Sequence, residues 1–283
     1  RGPTVESAVI NARTRPRAQI VVAGLRGRPT ETRYEGSVFV HVAAKSRPVT
    51  GTVTDIESGK PVSDVAVSAY VRNGDASSTV RTRTDSQGRY QLEGLPIRDG
   101  NLVRVTPPAD SLYLPARHKV DTRDSSEPAT LNFPLTRGQT IRGTVTDETG
   151  TPVHGRIRYF SLQSNPLAAS TPGLSGSPVF RQTDVRGRFE IPALPGRGLI
   201  AVSALDHERF ARGLGAVDIR EKRQTGNDIY FATHNFVVHA KSHHSFVAID
   251  VPLNEPAKKI AVRLRRLRQV VGTLMDPDGN RVE

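Results

Sequence analysis

The stretch Val49-Thr50-Gly51-Thr52-Val53-Thr54-Asp55, followed by Gly59 and Pro61-Val62, returns as Ile141-Arg142-Gly143-Thr144-Val145-Thr146-Asp147 with Gly150 and Pro152-Val153. It opens once more at Val270-Val271-Gly272-Thr273-Leu274-Met275-Asp276, with Gly279 and Val282. A second phrase recurs inside the two complete copies. Thr84-Asp85-Ser86-Gln87-Gly88-Arg89-Tyr90-Gln91-Leu92, closing on Leu95-Pro96, answers Thr183-Asp184-Val185-Arg186-Gly187-Arg188-Phe189-Glu190-Ile191, closing on Leu194-Pro195. Two ordered phrases repeated together identify a tandem array of one domain type.

The phrases are strand grammar. Val65, Val67, Ala69 and Val71 alternate with Ala66, Ser68, Tyr70 and Arg72, and Leu131, Phe133 and Leu135 alternate again before the second opening phrase; period two is the mark of a half-buried strand. Asp85 and Asp184 are placed to accept backbone N–H groups across a tight turn in which Gly88 and Gly187 supply positive φ. Leu95-Pro96 and Leu194-Pro195 stop the strand, because proline cannot donate to the ladder. No helical stripe is present. The expectation is an all-β chain of tandem Greek-key, transthyretin- or immunoglobulin-like β-sandwiches, each long enough for its own core. The organisation expected is a tail of a preceding β domain over 1–47, with Ser37-Val38-Phe39-Val40-His41-Val42 as its last strand. Sandwich repeats over 48–138 and 139–268 follow, with the opening strand of a third over 269–283. The second copy is longer in two places, around 163–177 and 206–256, and loops inserted on a rigid scaffold are where function concentrates.

Composition narrows the classes. Of 283 residues, 36 % are hydrophobic, with 20 Pro and 24 Gly, which fits a turn-rich globular chain. The absence of cysteine excludes a disulfide framework and thiolate metal sites. No apolar run reaches the ~18 residues of a spanning helix. The net charge of +12 attracts anionic partners. Its densest run, Arg263, Arg265, Arg266 and Arg268 threaded between Val262, Leu264 and Leu267, reads as the solvated face of a strand and argues against a nucleic-acid reader.

The phrases V-x-G-T-V-x-D-x-x-G-x-P-V and T-D-x-x-G-x-[YF]-x-[LI]-x-x-L-P resemble the carboxypeptidase regulatory-like domain, a transthyretin-like β-sandwich. The resemblance spans 48–268 as two copies and the stub from 269. It implies a sandwich without catalytic residues or cofactor, used as an accessory, spacer or interaction module beside enzymes or in bacterial envelope and secreted proteins. An extracytoplasmic setting follows from it, with other domains of the same polypeptide or envelope proteins as partners.

Catalytic readings fail on their partners. Gly173-Leu174-Ser175-Gly176-Ser177-Pro178 has the outline of a protease nucleophile loop, but Leu174 stands where an acid belongs and His41, His118 and His154 lack the matching context, so a Ser/Gly/Pro loop is expected. Gly196-Arg197-Gly198-Leu199-Ile200-Ala201 matches a loose dinucleotide turn, yet a strand follows it instead of a helix. His234, His239, His243 and His244, with Asp228 and Asp250 nearby, crowd the second insertion. Imidazole suits zinc, copper or nickel, but the flanking apolar runs read as two strands joined by a turn carrying surface histidines, and no metal is assigned. These four histidines and Tyr230 are the candidates for ligand contact. The function expected is a non-catalytic spacer or protein-interaction segment, the alternative being an acidic polysaccharide or glycan bound through the basic surface and the 206–256 insertion.

Overall fold

The computed structural model describes residues 19–25, 28–40, 45–73, 76–123, 127–174, 178–234, 237–253 and 258–267, together with 273, 275, 277 and 278. An antiparallel hairpin of β1 (Gln19–Leu25) and β2 (Arg28–Tyr34) comes first. Residues 37–40 form no strand, and Val38 and Val40 lie almost fully in solvent, so the strand expected over 37–42 is not formed where the structure describes it.

The first sandwich comprises β3 (Val49–Asp55), β4 (Ala66–Asn73), β5 (Ala76–Arg83), β6 (Arg89–Leu92), β7 (Asn101–Thr106), β8 (Ala116–Val120), β9 (Ala129–Thr130) and β10 (Phe133–Leu135). One sheet has β3 in the middle, antiparallel to β6 and parallel to both β9 and β10. The other runs β5-β4-β7-β8, antiparallel throughout. Val49, Val53, Tyr90, Leu92, Phe133 and Leu135 from the first sheet meet Val67, Ala69, Val103 and Val105 from the second in one core. The alternation read from the sequence therefore faces inward.

The second sandwich repeats this strand order. It comprises β11 (Gln139–Asp147), β12 (Gly155–Ser161), helix α1 (Pro166–Ser170), β13 (Val179–Gln182), β14 (Arg188–Ala193), β15 (Gly196–Ala204), β16 (Lys222–Thr225), β17 (Asp228–Ala232), β18 (Val237–His239), β19 (Ser245–Val251) and β20 (Lys258–Leu264). Its sheets run β14-β11-β20 and β13-β12-β15-β19. Its core is built from Ile141, Val145, Ile157, Tyr159, Ile191, Ile200, Val202, Ile249 and Leu264 among others.

The repeated phrases have repeated jobs. Asp85 Oδ1 accepts from the N–H groups of Gln87 and Arg89, both at 2.8 Å, and Asp184 Oδ1 does the same for Arg186 and Arg188. Gly88 and Gly187 sit at φ +68° and +70°, and a Cβ there would lie 2.5 Å and 2.3 Å from the carbonyl oxygens of Val53 and Val145. Only glycine fits both demands.

The opening-phrase aspartates do more than turn the chain. Asp55 Oδ1 accepts from the N–H groups of Glu57 and Ser58, while Oδ2 accepts from Arg137 Nε at 2.7 Å and Tyr113 Oη at 2.8 Å. Asp147 Oδ1 accepts from Thr149 and Thr151, and Oδ2 takes Arg266 Nε at 2.8 Å and Nη2 at 2.6 Å. Each arginine lies just beyond the last strand of its sandwich, so the pair fastens the first strand to the exit of the last. The basic run is a solvated face over β20, where Val262 and Leu264 are buried, and departs from that reading beyond it. Arg263 and Arg265 are exposed, Arg266 is committed to Asp147, Leu267 is mostly in solvent, and Arg268 lies outside the described residues.

Candidate functional site

The second insertion leaves the sheet after β15 and rejoins it at β19. Its sheet, ordered β16-β17-β18, and two short 3-10 helices, Ala216–Asp218 and Ala240–Ser242, cover the outer face of β12, β15 and β19. A third core forms there from Phe160, Leu162, Leu199, Ala201 and Phe246 of the sandwich against Ala216, Ile219, Phe231, Val238 and Ala240 of the insertion. Leu199-Ile200-Ala201-Val202 is consequently buried on both faces. A continuous apolar run of strand length signals a strand covered on both sides, and the sequence carried that signal.

The histidines separate into two environments. His243 and His244 are 2 % and 0 % exposed, which overturns their reading as surface residues of a turn: His243 packs against Phe160 and Phe246 of the third core, and His244 against His207 and Phe210. His244 Nδ1 accepts from the Ala204 N–H at 3.0 Å and Nε2–H donates to the His207 carbonyl at 3.2 Å, with the His207 ring stacked 5.7 Å away. Arg158 Nη1 donates to His243 Nε2 at 2.8 Å. His243 Nδ1–H then donates to Ser242 Oγ at 2.7 Å, and that hydroxyl donates to the His239 carbonyl at 2.6 Å. Both patterns require neutral rings. Burial, then Arg158, His244 and Arg212, push His243 down to about 4, and burial likewise lowers His244.

The remaining candidates lie apart from this pair. His239 is one-third exposed, with Nε2 3.2 Å from Asp228 Oδ1 and its ring 4.8 Å from that of Tyr230. Lys241 Nζ shares the same carboxylate at 2.7 Å. His234 is half-buried, and its N–H donates to the Ser161 carbonyl. His239 belongs to β18 while His243 follows a 3-10 turn, so they share no strand face. Among the described residues no three His, Cys, Asp or Glu side chains converge on one point. The cluster packs and hydrogen-bonds around a half-buried arginine, Arg158, which sequence reading did not single out.

The shorter insertion works elsewhere. Its helix α1 is capped by Asn165, whose Oδ1 accepts from the Leu167 N–H while Nδ2 donates to the carbonyls of Pro195 and Arg197. Beyond α1 the chain reaches the first sandwich. The Arg117 N–H of β8 donates to the Gly173 carbonyl at 2.7 Å, and a Cβ on Gly173, at φ +62°, would lie 2.2 Å from His118 Nε2. Arg181 Nη2 donates to the Ser111 carbonyl at 2.7 Å. Leu114, from the loop between β7 and β8, is 2 % exposed within the second sandwich's core. The connecting residues are themselves paired, Leu114 N–H to Thr136 carbonyl and Gly138 N–H to Leu112 carbonyl. The loop once comparable to a nucleophile loop is thus part of a joint; Ser175, Gly176 and Ser177 lie outside the described residues.

A cavity of about 670 Å³ opens beside Gly143, Phe189 and Ile260. Its rim charges Arg142 and Glu190 pair with each other at 2.9 Å.

The chain is thus defined as tandem Greek-key β-sandwiches, and residues 48–136 match the carboxypeptidase regulatory-like domain. Comparison with curated protein sequences returns no match. Among solved structures, the chain is similar to the Bacillus anthracis TIE protein, at 12 % identity and TM-score 0.26 over 90 % of this chain and 44 % of that one. It thus spans under half of that protein's length. It is also similar to a streptococcal ancillary pilin, at 14 % identity and TM-score 0.29 over 89 % and 76 % of the two chains. The shaft pilin SpaA of Lactobacillus rhamnosus GG follows at 6 % identity and TM-score 0.24, over 80 % and 98 %.

Proposed function

We propose that this segment is a non-enzymatic spacer in a larger bacterial envelope or secreted protein, with its sandwiches docked on one another rather than loosely strung. The units would be a leading β tail over 1–47, sandwiches over 48–138 and 139–268, and the start of a further copy over 269–283. Its partners would be neighbouring domains of the same polypeptide or envelope proteins, in an extracytoplasmic compartment. The observation that carries the reading is Leu114, which leaves its own sandwich and is buried in the next one's core. Burying a leucine fully stabilises by about 1.5–3 kcal/mol, enough to hold two units whose connection is only a few residues long. The matched domain family, used as an accessory module, supports the same view.

The chain lacks cysteine, so spin labels are easily placed at Arg81→Cys and Arg186→Cys, one on each sandwich. A narrow distance distribution is expected, broadened by Leu114→Asp. An equally broad distribution with Leu114 intact would overturn docking, and substrate turnover abolished by one point substitution would overturn the non-enzymatic reading.

A further inference from the structure

Arg158 stands on the outer face of β12 at the edge of the third core. Its guanidinium carbon lies 5.0 Å from the Phe180 ring centroid and Nη1 donates to His243. Its Nε is buried without a hydrogen-bond partner. Other arginines of this sandwich hold carboxylates: Arg142 with Glu190, Arg197 with Glu221, Arg209 with Asp206 and Arg266 with Asp147. Among the described residues none reaches Arg158. The charges that act on this spot are cations, Arg156 on Arg158 itself and Arg212 together with Arg158 on His243. Arg158 is only half-buried, but its cation has no carboxylate partner and lies beside two more arginines, an arrangement that favours an anion supplied from outside.

We propose that Arg156, Arg158 and Arg212 form a binding site for the acidic group of an anionic polysaccharide. His243 takes one Nη of Arg158 and fixes the guanidinium plane, which leaves Nη2 for the ligand. Guanidinium groups bind carboxylate and sulfate oxygens with charge-assisted hydrogen bonds, so both acid groups share this chemistry. Phe180, 50 % exposed beside Arg158, offers ring surface to the apolar side of a sugar. Nucleic acid fits less well, because single strands are held by successive aromatic platforms along a cationic groove and this site has one ring. The docked-spacer reading does not depend on this site.

The test is titration calorimetry with a short heparin oligosaccharide, a short polygalacturonate and a single-stranded oligonucleotide, with the His243 resonance followed by NMR. Arg158→Gln and Arg212→Gln are expected to weaken oligosaccharide binding by about tenfold or more each, the worth of one charge-assisted bond. Arg81→Gln on the first sandwich should leave it unchanged. Ligand is expected to move the His243 titration upward, because an anion at Arg158 favours the imidazolium. Arg158→Gln also removes the donor to the buried His243 Nε2, so a cooperative melting transition of the free variant is required beside the titration to show that it is folded. Binding of either oligosaccharide with this pattern supports the site and identifies the acid group. Binding of neither, tighter binding of the oligonucleotide, or equal weakening by Arg81→Gln would overturn it.

Discussion

Asp55 is 3 % exposed, and its carboxylate divides its work between two oxygens, one holding the turn after β3 and the other gripping Arg137 and Tyr113. Removing the carboxylate frees two backbone donors and leaves Arg137 with only Tyr113, whose Oη accepts from Nη2 at 2.9 Å. Asp55→Ala is therefore expected to cost about 2–4 kcal/mol in urea unfolding, while Arg137→Ala, from a side chain more than half exposed, costs about 1 kcal/mol. Equal costs would show that the turn bonds contribute nothing. The Ser58 N–H first, then Arg137 and Tyr113, hold the Asp55 carboxyl well below its ordinary range, and Thr149 first, then Arg266, bring Asp147 to about 2. Groups depressed in the folded state stabilise it above the unfolded value near 3.8 and lose that contribution as pH falls through the folded value. Acid unfolding of the sandwiches is expected below about pH 4; a transition already complete above that range would contradict the assignment.

Among the elements, the insertion over β16, β17 and β18 has a different acid limit from the sheets beneath it. His243 is neutral in the fold and faces Arg158 from β12, Arg212 from the loop after β15, and His244 beside it. A base whose folded value is lowered from 6.5 to about 4 stabilises the fold fully above 6.5, and the contribution is lost as pH falls to about 4. It amounts to at most about 3 kcal/mol. Protection factors in β17 and β18, taken relative to the intrinsic exchange rate at each pH, should fall between pH 6.5 and 4 while those of β3 and β11 hold, and unchanged protection in β17 and β18 across that interval would refute the neutral-ring pattern. Phe231→Ala, in the middle of the third core, should cost about 3–5 kcal/mol, read first as lost protection in β17 and β18. Sequence reading found the strands, the hairpin turns and the places of both insertions, because period two, Asp-x-x-Gly and a length difference are local signals. It missed the burial of His243 and His244 because that depends on a lid contributed by residues far along the chain. It also missed the arginines paired with Asp55 and Asp147, although Arg137 and Arg266 stand at the same spacing before Gly143 and Gly272 and form a third repeated mark.

At the scale of the whole molecule, the two insertions explain why the second copy is longer. One builds a lid on its own sheet, and the other reaches back to β8 of the first sandwich through Gly173, beside the bond from Arg181 of β13 to Ser111 in the loop before β8. Stability is then shared across the joint, and two docked units with a common buried leucine should unfold together. A fragment spanning both sandwiches is expected to melt in one transition. Gly173→Ala places a methyl group where His118 stands and strains a positive-φ residue, at a cost of about 1–3 kcal/mol. Its nearest neighbour, His118, lies on β8 against Phe133 of the first core, and Gly173 itself is joined to β8 across the joint, so the loss should fall first on coupling. Calorimetry of that variant should resolve two transitions at the temperatures of the separate sandwiches. A single transition merely lowered in temperature would place the strain inside one unit instead of between them.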